Sequence, residues 1–159
     1  MYRLDHYAVR TANKAQVIKF YTELMGYSIQ EHFEIDFDGV DKTQCTALEL
    51  KQKRTNNEGT INYSDASYTE YHLPPEIFVS EGGKIVSEWV KQNGPGLHHA
   101  AYAIENIEEI VKLWKEKGIK FTSDILKCDD IKQIFTEKIP ELGFIIELIE
   151  RGERGFCSS

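Results

Sequence analysis

The sequence predicts an α+β protein made of two βαβββ modules, and three observations predict it. The chain superposes on itself when shifted by the interval from Leu4 to Leu97, so that LDHYAVRT falls on LHHAAYAI. Each copy continues into an amphipathic stretch that stops at a glycine, Gly26 or Gly118. After each glycine come short alternating or apolar runs bounded by turn residues, which are the marks of strands.

Without a gap, His6 meets His99, Ala8 meets Ala101, Val17 and Ile18 meet Ile110 and Val111, Lys19 meets Lys112, and Tyr21 meets Trp114. A repeat of this kind has to be recognised before any motif is interpreted. In the first copy Val17, Phe20, Tyr21 and Leu24 form the expected apolar stripe; in the second it is Ile107, Ile110, Val111 and Trp114. The glycines can adopt the left-handed conformation that ends a helix. YSIQEHFEI, TALEL and EIFVSE complete the first module, and IKFTSDI, IKQIFT and GFIIELIE the second. The predicted organisation is a first module over 1–83 with a polar insertion at 51–71 and a linker helix and turn over 84–96. A second module follows over 97–152, with a tail at 153–159.

At 159 residues the chain is long enough for one compact domain and too short for two ordinary independent ones. A hydrophobic share of 41% and a charged share of 28% are those of a globular protein, which excludes a disordered chain. No apolar run is long enough to span a bilayer, so no membrane partner is expected. The start MYRLDHYAVR lacks the pattern of a secretory signal, and a cytoplasmic location is the expectation. Cys45, Cys128 and Cys157 are odd in number and scattered, so they read as free thiols. A net charge of −7 opposes a phosphate backbone, so nucleic acid is not an expected partner.

His6 and His99 occupy the same place in the two repeats, each in an apolar first strand. A single histidine there reads as a satisfied core imidazole, but two at equivalent positions, brought together by a pseudo-twofold pairing, read as ligands. Glu147 lies in FIIELIE with apolar residues on both sides. A carboxylate held where water is scarce needs a partner, and a cation is the usual one. Two imidazoles and one carboxylate suit Fe, Mn, Co, Ni or Zn as a divalent ion and leave open positions for a substrate. Strand alternation points His98 to the face opposite His99. His32 and His72 have no repeat partner and read as surface histidines.

Over nearly its whole length the chain resembles the vicinal oxygen chelate superfamily, the glyoxalase, bleomycin-resistance and dioxygenase fold. LDHYAV, IKFYTELMGY, GPGLHHAAYAIENIEEIVKLWKEKGIKF and GFIIELIER carry the resemblance. It implies two βαβββ modules forming a cupped, mostly antiparallel sheet around a metal chelated by two neighbouring oxygens of a small-molecule substrate. The family's ligands map onto His6, His99 and Glu147. GLHHAAYAIENIEEIV is similar to methylmalonyl-CoA epimerase, which implies isomerase, epimerase or lyase chemistry through an enolate. That branch has a fourth ligand on the last strand of the first module, where this chain has Phe78; Glu76 lies two residues away. Asp41 falls near the epimerase's second carboxylate. TQCTAL, KIVSEWVKQNGPGLHHAA and IKQIFTEKIPELGFIIELIERGERGF resemble the catalytic half of 4-hydroxyphenylpyruvate dioxygenase, an Fe(II) enzyme, which implies Gln133 near the substrate. The expected catalytic residues are Glu147, Gln133 and Asp41, and Gln44, Phe78 and Gln133 are expected to line the substrate pocket. A non-catalytic binding or resistance protein is the reading from another class, and the fold is compatible with a homodimer.

Overall fold

The computed structural model describes residues 2–37, 39–50, 75–128 and 131–151. The polar insertion, His72, the tail and Cys157 lie outside them.

The first module runs β1 (Arg3–Arg10), α1 (Lys14–Leu24), β2 (Ser28–Phe37), β3 (Asp41–Glu49) and β4 (Glu76–Glu81). Helix α2 (Lys84–Asn93) leads to β5 (Gly96–Ala103), α3 (Ile107–Glu116), β6 (Leu126–Cys128), β7 (Ile131–Phe135) and β8 (Ile145–Glu150). The eight strands make one curled, mixed sheet in the order β2-β3-β4-β1-β5-β8-β7-β6. β1 and β5 pair antiparallel at its centre, while each pairs in parallel with the last strand of its own module, β4 or β8. The first strands of the two repeats are therefore neighbours, which is the condition for matched residues on them to meet.

Helices α1 and α3 cover one face of the sheet. Under α3, Ile107 and Val111 close over Ala100, Ile134, Ile146 and Leu148. Under α1, Leu48, Ile77 and Val79 receive Val17, Ile18 and Tyr21. The stripe expected on α1 is thus rotated: Phe20 and Leu24 are exposed at 52% and 73%, and Ile18 takes their place. The repeat itself foreshadows this, because Val17, Ile18 and Tyr21 are the counterparts of Ile110, Val111 and Trp114, all of which pack under α3. Both helices end as expected. With Gly26 at φ +74°, the Tyr27 amide reaches back to the Tyr21 carbonyl at 3.1 Å, six residues earlier.

IKFTSDI does not form the expected strand. Only Phe121 makes a bridge, to Thr136, and β6 begins later at Leu126. Thr122 uses both its amide and its hydroxyl on the Phe135 carbonyl, and Ser123 bonds the Asp124 carbonyl. Local side-chain bonds of this kind compete with a ladder and bend the chain.

Candidate metal centre

On the face away from α1 and α3, strand register decides which side chains are neighbours. His6 stands opposite Ala101, Ala101 opposite Glu147, and Glu147 opposite Phe135, so one row crosses β1, β5, β8 and β7. A second row runs from His99 through Ala8 and Phe78 to Ala47. The two rows are related by the repeat, and each histidine faces an alanine of the other module. Those small residues leave the space into which the imidazoles lean.

His6 Nε2 lies 3.3 Å and His99 Nε2 3.0 Å from the same Glu147 oxygen, Oε2. One ligand atom from each of the three residues falls within 4.8 Å of the others. Ligands at metal-bond lengths of about 2.0–2.2 Å stand roughly 3 Å apart around a cation, so the two imidazole–carboxylate spacings and the chemistry of the donor set fit a divalent ion. His6 and Glu147 are 3% and 2% exposed.

Burial alone would lower the His6 pKa, yet Asp5 and Glu147 beside it raise it to about 9. Glu147 shows the reverse balance, because burial raises it while bonds from His6 and His99 bring it to about 2. His99 is pushed down, first by burial and also by the charges of His6 and Arg10, against the pull of Glu147.

The outer nitrogens of both ligands are also engaged. His6 Nδ1 bonds Asp5 Oδ2 at 2.8 Å, and His99 Nδ1 bonds His98 Nδ1 at 2.8 Å. Consecutive residues of a regular strand point to opposite faces, so both contacts require an irregularity. The β1–β5 ladder supplies one on each strand: between Leu4 and His6 it skips Asp5, and between His99 and Leu97 it skips His98. A bulge turns the extra residue toward its neighbour. Asp5 and His98 are themselves counterparts in the repeat, so each module places one bulged residue behind its ligand. This corrects the expectation that His98 faces away from His99. Were Nε2 to bind a cation, each imidazole would donate its Nδ1–H outward, to a carboxylate in one case and to an imidazole lone pair in the other.

Asp5 is in turn clamped by Arg151, whose Nε and Nη2 donate at 2.9 and 2.6 Å, and by Arg3 at 3.1 Å. Although burial raises it, these contacts and His6 hold its carboxyl far below the usual range. Sequence reasoning missed Asp5, His98 and Arg151. The available signal was that Asp5 and His98 each directly precede a repeated histidine.

The remaining expected residues separate into two groups. Phe78 stacks on His6 with ring centroids 4.1 Å apart, occupies the slot on β4 that corresponds to Glu147 on β8, and meets Phe33 edge-on at 5.6 Å. Gln133 shares the face of Phe135 on β7, and Phe135 contacts His99 at 5.3 Å. Both line the same side of the sheet as the three ligands. Gln44 does not. It pairs across from Glu81, which accepts from the Lys14 amide of α1, and bonds Glu34 at 2.7 Å, so it lies on the helix-covered side. Asp41 is also diverted. Its two oxygens accept from the Lys84 and Ile85 amides at 2.6 and 2.7 Å and thereby cap α2. Glu76 stands opposite His6 but is not one of the converging groups; burial raises its pKa while Gln30 lowers it. His32 is exposed and bonds Thr46 at 2.8 Å. Cys45 is a buried free thiol whose pKa burial lifts to about 11. Among the described residues no helix is long and apolar enough to cross a membrane.

A curled eight-stranded sheet with matched histidines on its two central strands and a carboxylate on a third defines the class: a duplicated βαβββ protein. The chain belongs to the glyoxalase/bleomycin resistance protein/dioxygenase superfamily, whose pattern matches residues 5–135. Methylmalonyl-CoA epimerase is similar at 20% identity and a TM-score of 0.68, covering 94% of this chain and 95% of its own. A hypothetical protein from Bacillus halodurans C-125 is similar at 18% and 0.69, with 96% of each chain covered. A mutant of 4-hydroxymandelate synthase from Streptomyces coelicolor, at 18% and 0.72, covers 99% of this chain, which spans 51% of that one. No curated protein matches the chain at the sequence level.

Proposed function

We propose that the protein is a metal-dependent enzyme that acts on a small carbonyl or carboxylate compound held through two neighbouring oxygens. The observation that carries this reading is the convergence of His6 Nε2, His99 Nε2 and Glu147 Oε2 on one point, with both outer imidazole nitrogens already engaged. A bound divalent ion such as Fe, Mn, Co, Ni or Zn would supply Lewis acidity to the two oxygens, or in the ferrous case electrons to dioxygen. The chain's own part is to orient and to exclude water. Phe78 and Phe135 wall the ligands on either side, and Gln133 offers an amide on the same face.

The leading reading of the reaction is isomerase, epimerase or lyase chemistry through an enolate, which accords with the likeness in fold to methylmalonyl-CoA epimerase over 94% of this chain. A specific observation favours a second reading. Phe78 fills the position pseudo-equivalent to Glu147, so the site keeps two histidines and one carboxylate, the set typical of non-haem Fe(II) oxygenases. Metal analysis of the purified protein, followed by assays of candidate keto acids in deuterated buffer and in an oxygen electrode, decides between them. Deuterium entering recovered substrate without oxygen uptake supports the isomerase, and Fe(II)-dependent oxygen uptake supports the dioxygenase. Unchanged metal affinity in His6→Ala or Glu147→Ala would falsify both. Metal-free protein that binds an aromatic compound tightly would mark a non-catalytic binding protein.

A further inference from the structure

Arg10 ends β1 on the ligands' side of the sheet. Its register with β4 is unbroken from His6 to Arg10, so His6, Ala8 and Arg10 share one face. Across on β5 stands Gly96, which has no side chain to fill the space. The guanidinium carbon lies 5.6 Å from the centre of the Trp89 ring, and Trp89 in turn meets His98 edge-on at 5.4 Å. Arg10 is close enough to His99 for its charge to depress that imidazole.

Arg10 is only partly exposed, and no carboxylate or carbonyl pairs with it among the described residues. In a chain of net charge −7, a half-buried guanidinium without a counter-ion is unusual, because withdrawing it from water costs free energy that a ring face only partly returns. Arginines in that position commonly serve planar, bidentate recognition of an anion that arrives from outside. Ala8, opposite His99, is two residues from Arg10, roughly 7 Å along the strand.

We infer that Arg10 anchors a carboxylate at the far end of the substrate, a few carbon atoms beyond the two oxygens held at His6, His99 and Glu147. The inference deepens the proposed function and rests on it for the placement of the chelating end. The substrate class is then a short dicarboxylate whose second acid group selects it over the matching monoacid.

The test compares 2-oxoglutarate with 2-oxobutyrate on Co(II)-loaded wild type, Arg10→Met and Arg10→Lys, by calorimetry and by the fluorescence of Trp89. A charge-assisted pair predicts that wild type prefers the dicarboxylate by about 10-fold or more. Arg10→Met should abolish the preference while still binding Co(II) and 2-oxobutyrate, and Arg10→Lys should keep part of it. An equal preference in Arg10→Met, or none in wild type, overturns the inference. If Co(II) fails to bind, the proposed metal site falls while the anchor is still judged on metal-free protein. Succinate that perturbs Trp89 in wild type and not in Arg10→Met sustains it, and equal responses or no response overturn it.

Discussion

The two modules carry the same histidine on the same strand and surround it with opposite chemistry. In the first module the bulged residue behind the ligand is a carboxylate, Asp5, and the last strand contributes an aromatic ring, Phe78. In the second the bulged residue is an imidazole, His98, and the last strand contributes the carboxylate, Glu147. Each module thus supplies one acid, placed behind the ligand in one case and beside it in the other. Duplication fixes where the groups stand, and divergence at four positions decides where each acid is placed. A second acid in the slot of Phe78 would add a donor to the candidate site; the phenyl ring there adds none.

The largest effect should come from the carboxylate that breaks the symmetry. Glu147→Phe is expected to weaken Co(II) binding by more than the roughly 100-fold that loss of an outer partner can cost. The exchange variant Glu147→Phe with Phe78→Glu moves the acid to the other module, and equivalence of the two slots predicts that it regains most of the lost affinity. Cobalt titration followed by visible absorption measures both, and an exchange variant no better than Glu147→Phe alone would break the comparison.

Next in size is the contrast between the outer partners. Asp5→Asn removes the charge that supports His6 and leaves Arg151 beside a neutral amide, so metal affinity should fall about 10–100-fold. His98→Gln keeps an acceptor for His99 Nδ1–H and should cost less. Equal losses in the two variants would show that the asymmetry behind the ligands has no energetic weight.

The same asymmetry sets the pH dependence. His6 is raised above its ordinary value of 6.5 to about 9, so its contribution to the metal-free fold is complete below about 6.5 and disappears as pH rises through 9. Metal-free protein should therefore melt at lower temperature at pH 9 than at pH 7. A cation bound at His6 would have to displace its proton, so cobalt affinity should climb by about tenfold per pH unit toward pH 9. His99, lowered by burial, has no proton to lose in that window. Calorimetry in buffers of different ionisation enthalpy should find one proton released near neutral pH; two would mean that both imidazoles titrate together.

Legibility in the sequence followed the physics of each feature. Repeated residues were readable, since equivalent histidines on paired first strands had to meet once the modules faced each other, and Glu147 stood out by its apolar flanks. The bulges were not readable, because alternation assumes a regular ladder, and one skipped residue on each strand brought Asp5 and His98 behind the ligands. The polar run Thr122 to Asp124 looked like part of a strand until its side chains took the backbone partners. Gln44 and Asp41 entered through likeness to relatives, and likeness carries no register: one residue of alternation turned Gln44 to the helix side.

Asp41 gives the smallest expected effect, and it separates the first module's scaffold from its chemistry. Its carboxylate receives the Lys84 and Ile85 amides, which no earlier helical carbonyl can satisfy at the start of α2, and those bonds lower its pKa. Gly83, at φ +71°, lies so close beneath that an added Cβ would come within 2.7 Å of the Lys42 carbonyl and 2.9 Å of the Asp41 carboxylate, so the turn cannot easily move to find another cap. Asp41→Ala should therefore lower the melting temperature by about 2–4 °C, the usual scale for loss of a helix cap in a chain of this size. Metal affinity should be unchanged. Asp41→Asn, which keeps an accepting oxygen, should restore part of the stability, whereas weakened cobalt binding in Asp41→Ala with an intact melting temperature would return this residue to the active site.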